Sequence, residues 1–160
     1  MTQGVNRYKA KHKGIKLALL YLRDGLMLAR VWCYRRVYGM DIGAGCKFSL
    51  RAKLDFTNPR GVHIGEYTYM AFGAVVFTHD MSREFHADTR IGKQCFIGAN
   101  AIIMAGVRVG DNCIVGSGAV VTRDVPDCSI VGGNPAKVIK TGITTKNYGI
   151  LVSQGDRGEG

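Results

Sequence analysis

The chain has 160 residues, 46% of them hydrophobic, with 22 glycines and five cysteines. This is enough apolar material for one packed domain and excludes a polar disordered chain; an odd cysteine count without a C-x-x-C excludes a disulfide framework and a zinc knuckle. The net charge of +10 is uneven, because residues 1–36 hold nine Lys or Arg against Asp24 alone, while the remainder holds thirteen against eleven acids.

Residues 1–13 read as a flexible basic arm carrying Arg7, Lys9, Lys11 and Lys13. Residues 14–38 then read as a helix, since Ile15, Ala18, Leu19, Leu22, Leu26, Ala29 and Trp32 recur at steps of three and four. Lys16, Arg23, Arg30, Arg35 and Arg36 flank that stripe. Two compatible roles follow: a cap over the open end of what comes next, with its charges solvated, or a basic amphipathic helix resting on an anionic membrane surface. Arg23, Asp24 and Arg30 interrupt the apolar stretch. This excludes an ordinary transmembrane helix, which needs about 20 mostly apolar residues, and argues against a secretory signal. Nucleic acid is not an expected partner, because no reading element or aromatic platform accompanies the charge.

From Ile42 a six-residue period begins. Ile42, Phe48 and Leu54 form one set, and the turn signal Asn58-Pro59-Arg60-Gly61 interrupts it. Ile64, Met70 and Val76 form a second set, and the segment His79–Asp88 must loop out. Ile91, Ile97, Ile103, Val109, Val115 and Val121 then recur without a slip. A small or modest residue sits two positions before each, and residues two apart share a strand face. Gly92, Gly98, Gly110 and Gly116 follow four of these aliphatics and are expected to turn corners, because glycine tolerates unusual backbone angles. One hexad is therefore a short strand plus a corner, and three close a triangular coil whose aliphatics stack inside. About five coils result, closed by Pro126 and Gly132-Gly133-Asn134-Pro135. The layout is a basic arm and amphipathic helix over 1–40, the repeat over 41–140, and a partly disordered tail over 141–160, with disorder expected from Gln154 onward.

Cys95 and Cys113 occupy inward small positions and read as reduced core residues. His79, in "VVFTHD", stands where a strand runs out into the loop, and a neutral histidine there suits proton abstraction near neutral pH. Asp80 and Glu84 are candidates to orient its ring. His86 shares the loop, and His63 should point outward.

The hexads, the His-bearing loop and the closing "GSGAVVTRDVPDCSIVGGNPAKVIK" resemble the left-handed β-helix, or hexapeptide-repeat, acyltransferases, nearest to the branch of maltose, galactoside and polysaccharide O-acetyltransferases. The resemblance covers about Ile64 to Lys140. It implies an all-β fold, a left-handed parallel β-helix with an extruded loop carrying His79, and acetyl-CoA as co-substrate with no metal. It implies His79 as general base. Ala99 and Ser117 match positions beside the pantetheine arm; Thr122 and Arg123 match a Thr-Lys pair near the nucleotide end; Lys137, with Lys140 nearby, matches a basic residue near the phosphates. It also implies a homotrimer, with His79 of one chain facing coenzyme held by another. The acceptor side, "RAKLDFTNPRG", departs from the sugar O-acetyltransferases, and the N-terminal segment differs from the cap of the maltose branch. Asn58, Asp80 and His86 are the expected acceptor contacts. The expected substrate is a hydroxyl of a sugar on a growing glycan or lipid carrier, reached in the cytoplasm at the inner membrane face. An amino-sugar N-acetyltransferase is the chemical neighbour of this reading. A zinc enzyme resembling the γ-class carbonic anhydrases, using His63, His79 and His86, is the alternative on the same fold, although Ile91 to Val125 contains no histidine.

Overall fold

A computed structural model describes residues 15–152; the expected arm over 1–13 and the expected disorder from Gln154 onward lie outside them. The hexads fold as two- and three-residue strands that stack into three parallel faces. The first face carries Asp41–Ile42, Val62–Ile64, Thr89–Ile91 and Arg108–Val109. The second carries Lys47–Phe48, Tyr69–Met70, Phe96–Ile97, Ile114–Val115 and Ile130–Gly132, edged by the antiparallel Lys137–Lys140. The third carries Lys53–Leu54, Val75–Val76, Ile102–Ile103 and Val120–Val121. Register aligns Ile42, Ile64, Ile91 and Val109 in one inward column, and the hexad aliphatics of the other faces align likewise. These side chains are almost wholly buried and form the core.

The corners depart from expectation. Gly43, Gly65, Gly92, Gly98, Gly110 and Gly116 do not have positive φ; the residue two positions later does, as at Gly45, Tyr67, Gln94, Asn100, Asn112 and Gly118. The glycine is needed for close approach instead. A Cβ on Gly98 would lie 2.5 Å from the Ser117 nitrogen, and one on Gly110 would lie 2.7 Å from the Asp127 nitrogen. Consecutive coils stack through backbone hydrogen bonds, and the corner leaves no room for a side chain between them. One buried column spends small donors on corner carbonyls: Cys46 on Gly65, Thr68 on Gly92, and Cys95 on Gly110, at 3.0, 2.8 and 3.1 Å. The Cys113 thiol beside it, together with burial, pushes the Cys95 thiol up, so it remains a protonated donor rather than a nucleophile.

The ladder is parallel, so alternate residues of a strand face opposite neighbours. Gly43, Gly65, Gly92 and Gly110 each donate N–H to the coil above, to Ile64, Ile91, Val109 and Val125. The first coil has no coil beneath it, so the carbonyls it turns that way, such as that of Ile42, need other partners. Helix α1, Ile15–Arg36, supplies them. Arg30 donates to the Leu50 and Ser49 carbonyls at 2.6 and 3.2 Å and also to Ala52, and Arg35 donates to Ile42 at 2.7 Å. At the opposite end carboxylates accept: Asp124 takes the Arg108 N–H at 2.7 Å, and Asp127 the Asp111 N–H at 2.8 Å.

The helix thus caps the open end, but through a different stripe from the one its sequence suggests. Val31 and Tyr34 are buried against the core, with Leu20 and Met27 half-buried on the same side. The stronger stripe faces away: Leu19, Leu22, Leu26 and Trp32 are 51–62% exposed. Its arginines are not simply solvated flanks, because two of them close the ladder. No helix among the described residues is long and apolar enough to cross a membrane.

Beyond the period, Thr145–Lys146 and Ile150–Leu151 pair as an antiparallel hairpin that folds back on the corner between the first and second faces. Tyr148 donates its N–H to the Tyr67 carbonyl at 2.7 Å, and the Thr145 hydroxyl donates to the Gln94 carbonyl at 2.8 Å. That edge of the prism is covered, leaving the other two exposed. The corner geometry predicts that Gly98→Ala costs about 1–3 kcal/mol through overpacking, whereas Asn100→Gly, already at positive φ, costs less than about 1 kcal/mol; urea unfolding midpoints of the two variants check this.

Candidate functional site

The coil opens once. Ile91 stacks on Ile64 after 27 residues, where Val109 stacks on Ile91 after 18. Most of the excess is a hairpin in which His79–Asp80 pairs antiparallel with Phe85–His86. It leaves the edge between the third and first faces. Its root is pinned: the Thr78 hydroxyl donates to the Asn58 carbonyl at 2.7 Å, and the Thr89 hydroxyl to the Phe77 carbonyl at 2.6 Å.

Beneath the root lies Asp55. Leu54 stacks directly under Val76, so the residue after Leu54 meets the residues after Val76. The Asp55 side chain is 3% exposed. Its Oδ1 accepts the Thr57 N–H at 2.8 Å; its Oδ2 accepts the N–H groups of Thr78 and His79 at 2.8 and 3.1 Å and contacts Nδ1 of the His79 ring. Burial alone would push the carboxyl up, but the Thr78 N–H, the His79 ring and the Thr57 N–H outweigh it and hold it at about 2, against an ordinary 3.8. Asp55 is therefore ionised at neutral pH. It keeps the ring proton of His79 on Nδ1 and turns the Nε2 lone pair outward. Phe77 and His86 stand edge-on to the ring, with centroids at 6.1 and 6.3 Å. The geometry is that of an oriented base at an exposed edge.

The other expected contacts are distributed. Asn58 belongs to the cluster but spends its amide on the Thr78 carbonyl at 3.2 Å. His86 is exposed across the hairpin from His79. Asp80 does not orient the ring: its carboxylate accepts from Ser82 N–H and hydroxyl at 2.9 and 2.6 Å and from Arg83 Nε at 2.8 Å, closing the hairpin turn. The Ser82 hydroxyl is the main cause lowering its carboxyl below the usual range. Thr122 and Arg123 are exposed on the His79 edge, two coils higher, since Val121 stacks on Ile103 and Val76. Ala99 and Ser117 stack on the edge between the second and third faces, where the Gly118 N–H donates to the Ala99 carbonyl at 2.8 Å. Lys137 and Lys140 are exposed on the closing strand. Within one chain, then, the third face separates His79 from Ala99 and Ser117.

His63 lies elsewhere, with its ring nitrogens 3.1 and 3.2 Å from Asp41 and Asp88. Among the described residues no three His, Cys, Asp or Glu side chains are grouped to hold a metal ion. Two large grooves, about 810 Å³ under α1 and about 560 Å³ over the first face, share no lining residue with the His79 cluster; neither is where the base sits.

Three comparisons bear on this arrangement. Residues 88–123 match the profile described as the hexapeptide repeat of succinyl-transferase. The chain is 44% identical over 117 residues to Protein CapG of Staphylococcus aureus, covering 66% of this chain and 68% of that one. It is 34% identical over 112 residues to YvoF of Bacillus subtilis (strain 168), covering 69% and 65%. It therefore spans about two thirds of the length of these relatives. A solved maltose O-acetyltransferase from Clostridium difficile 630 superposes with a TM-score of 0.57 at 25% identity, covering 70% of this chain and 74% of that one.

The depressed Asp55 carboxyl has a stability consequence. A lowered folded value stabilises above the unfolded value and loses that contribution as pH falls through the folded one. Asp55 should contribute about 2 kcal/mol that disappears between about pH 4 and pH 2. Urea unfolding across that range should show the loss in the native chain and a flatter profile in Asp55→Asn.

Proposed function

This chain belongs to the hexapeptide-repeat acyltransferase family, and we propose that it moves an acetyl group from acetyl-CoA to a sugar hydroxyl with His79 as general base. The observation that carries the reading is the Asp55–His79 pair at an open edge of the coil. The acceptor hydroxyl gives its proton to Nε2 as its oxygen bonds to the thioester carbonyl carbon. The tetrahedral adduct collapses by breaking the carbon–sulfur bond, and the imidazolium returns the proton to the departing thiolate. Asp55 steadies the charge that the ring carries between those steps.

The family's coil is left-handed, and we read this one the same way, in about five turns. The coenzyme would lie in the cleft between two subunits, with its pantetheine arm beside Ala99 and Ser117 of one edge, its nucleotide end toward Thr122 and Arg123 of the facing edge, and its phosphates near Lys137 and Lys140. Basic side chains are the expected partners of phosphate. The outward residues of the third face are the exposed Lys53 on the first coil and then Val75, Ile102 and Val120, apolar and half-buried, whereas the outward column of the first face is Asp41, His63, Arg90 and Arg108 throughout. The contrast supports a homotrimer that covers the apolar face and brings the His79 edge of one subunit against the Ala99 edge of the next. A sugar acceptor, as in the maltose O-acetyltransferase similar to this chain, suits a polar rim containing His86 and Asn58. A growing or lipid-linked glycan in the cytoplasm is the acceptor we favour, because the acceptor-side segment differs from that of the free-sugar enzymes.

The test is release of free CoA from acetyl-CoA with a panel of simple sugars, nucleotide sugars and lipid-linked glycans, read by mass spectrometry. Acceptor-dependent release should fall by about 10²–10⁴-fold in His79→Ala and by about 10²-fold in Asp55→Asn, with coenzyme binding kept in both. Turnover that persists in His79→Ala, or a native chain that binds no acetyl-CoA, would refute the reading.

A further inference from the structure

The most apolar stripe of α1 is the one the domain leaves uncovered. At 100° per residue, Ala18, Leu22, Gly25, Ala29 and Trp32 fall along one line of the helix, with Leu19 and Leu26 beside them. Leu22 and Trp32 are 60% and 62% exposed, and Leu19 and Leu26 58% and 51%. The charged residues between Ala18 and Cys33 lie off this arc: Arg30 turns into the first coil, and Arg23 pairs with Asp24 at 2.9 Å. A helix that only capped the coil would carry its charges outward and its leucines inward. Here Leu19, Leu22, Leu26 and Trp32 face outward while Arg30 and Arg35 are inward caps.

Charge says what covers the stripe. Residues 1–16, directly before it in the chain, hold Arg7, Lys9, Lys11, Lys13 and Lys16 and no acid. A second copy of this chain would bring the same unbalanced positive segment against its own, whereas an anionic bilayer surface complements it. The helix is 22 residues long, about 33 Å by its rise per residue, and is not apolar enough to span, which suits a helix lying in the plane of the interface.

We propose that the outward stripe of α1, centred on Leu22 and Trp32, inserts into an anionic lipid surface and holds the domain there. The C-terminal end of the helix adjoins the candidate site: Tyr34, and Tyr38 just beyond the helix, pack tilted against Phe56, with centroids at 5.9 and 4.7 Å, and Phe56 follows Asp55. A helix lying in the headgroup layer thereby brings the His79 edge close to lipid headgroups, which selects glycans anchored in the bilayer. That acceptor class rests on the acyl-transfer reading; the docking surface does not.

Trp32 is the only tryptophan in the chain, so its emission reports the stripe directly. Full-length protein would be titrated with vesicles of phosphatidylcholine alone and of phosphatidylcholine with phosphatidylglycerol. The expected result is a blue shift on the anionic vesicles, quenching by brominated acyl chains, and a bound fraction reduced about tenfold or more in Leu22→Glu/Leu26→Glu. These positions are exposed, and that variant should keep the native circular dichroism and native CoA release with a soluble acceptor. Because the quenching is read on the native chain, it stands independently of the variant. Absence of a shift on anionic vesicles overturns the proposal. So does a Trp32 emission that is already blue without lipid and reddens on dilution, which would mean that a second copy covers the stripe. Loss of CoA release with intact vesicle binding would instead refute only the acyl-transfer reading.

Discussion

Everything in this chain depends on the parallel backbone ladder between stacked coils. Each coil exchanges N–H and C=O hydrogen bonds with the coils on either side of it, so strands of only two or three residues suffice and the backbone stacks at hydrogen-bond distance. Two demands follow. Corners cannot carry a side chain where backbones close up, as at Gly98 beneath Ser117. The two ends of the stack leave backbone groups with no neighbouring coil to bond. Arg30 and Arg35 answer the first end, Asp124 and Asp127 the second, each charge matched to the dipoles it faces.

The same ladder builds the site. Because coils stack in register, a residue just past one hexad aliphatic lies under the residues just past the next. That relation sets Asp55 beneath Thr78 and His79 although the chain runs through Pro59-Arg60-Gly61 between them. The carboxylate binds two backbone N–H groups of the departing strand and the ring that follows. It therefore fixes both where the hairpin leaves and how the base is turned. The edge sealed by the Thr145–Leu151 hairpin offers no such opening, and the chemistry falls to the two remaining edges.

The hexad phase made the strands, the core column and the looping-out of His79 legible in the sequence, because inward aliphatics at a fixed six-residue step leave little freedom of interpretation. Other features were hidden for identifiable reasons. The hexad glycine suggests the corner's unusual backbone angle, but positive φ falls two positions later, often on Asn or Gln, and close approach of a second coil cannot be seen in one hexad. Asp55 carried a signal, its place directly after Leu54, that becomes readable only once Leu54 and Val76 are put in register across the Asn58–Gly61 slip. Asp80, adjacent in sequence to His79, drew the orienting role but closes its own turn with Ser82 and Arg83. The apolar period of the helix points to the wrong face, since its strongest stripe is exposed and a weaker one, with Val31 and Tyr34, is buried. Backbone carbonyls needing partners, which no hydropathy pattern registers, turned the arginine side of α1 inward.

On the proposed reading, the oriented base of one subunit acts on coenzyme held at the Ala99 edge of the next. Its most direct test mixes two inactive variants, His79→Ala and Ala99→Trp, by co-refolding, after each has been shown to be a well-folded trimer alone. An interface combining a native His79 edge with a native Ala99 edge then arises only in mixed trimers. Recovery of about one quarter of native CoA release, the fraction expected from random mixing in a cyclic trimer, is the predicted result. Mixed trimers that form and stay inactive would contradict the account.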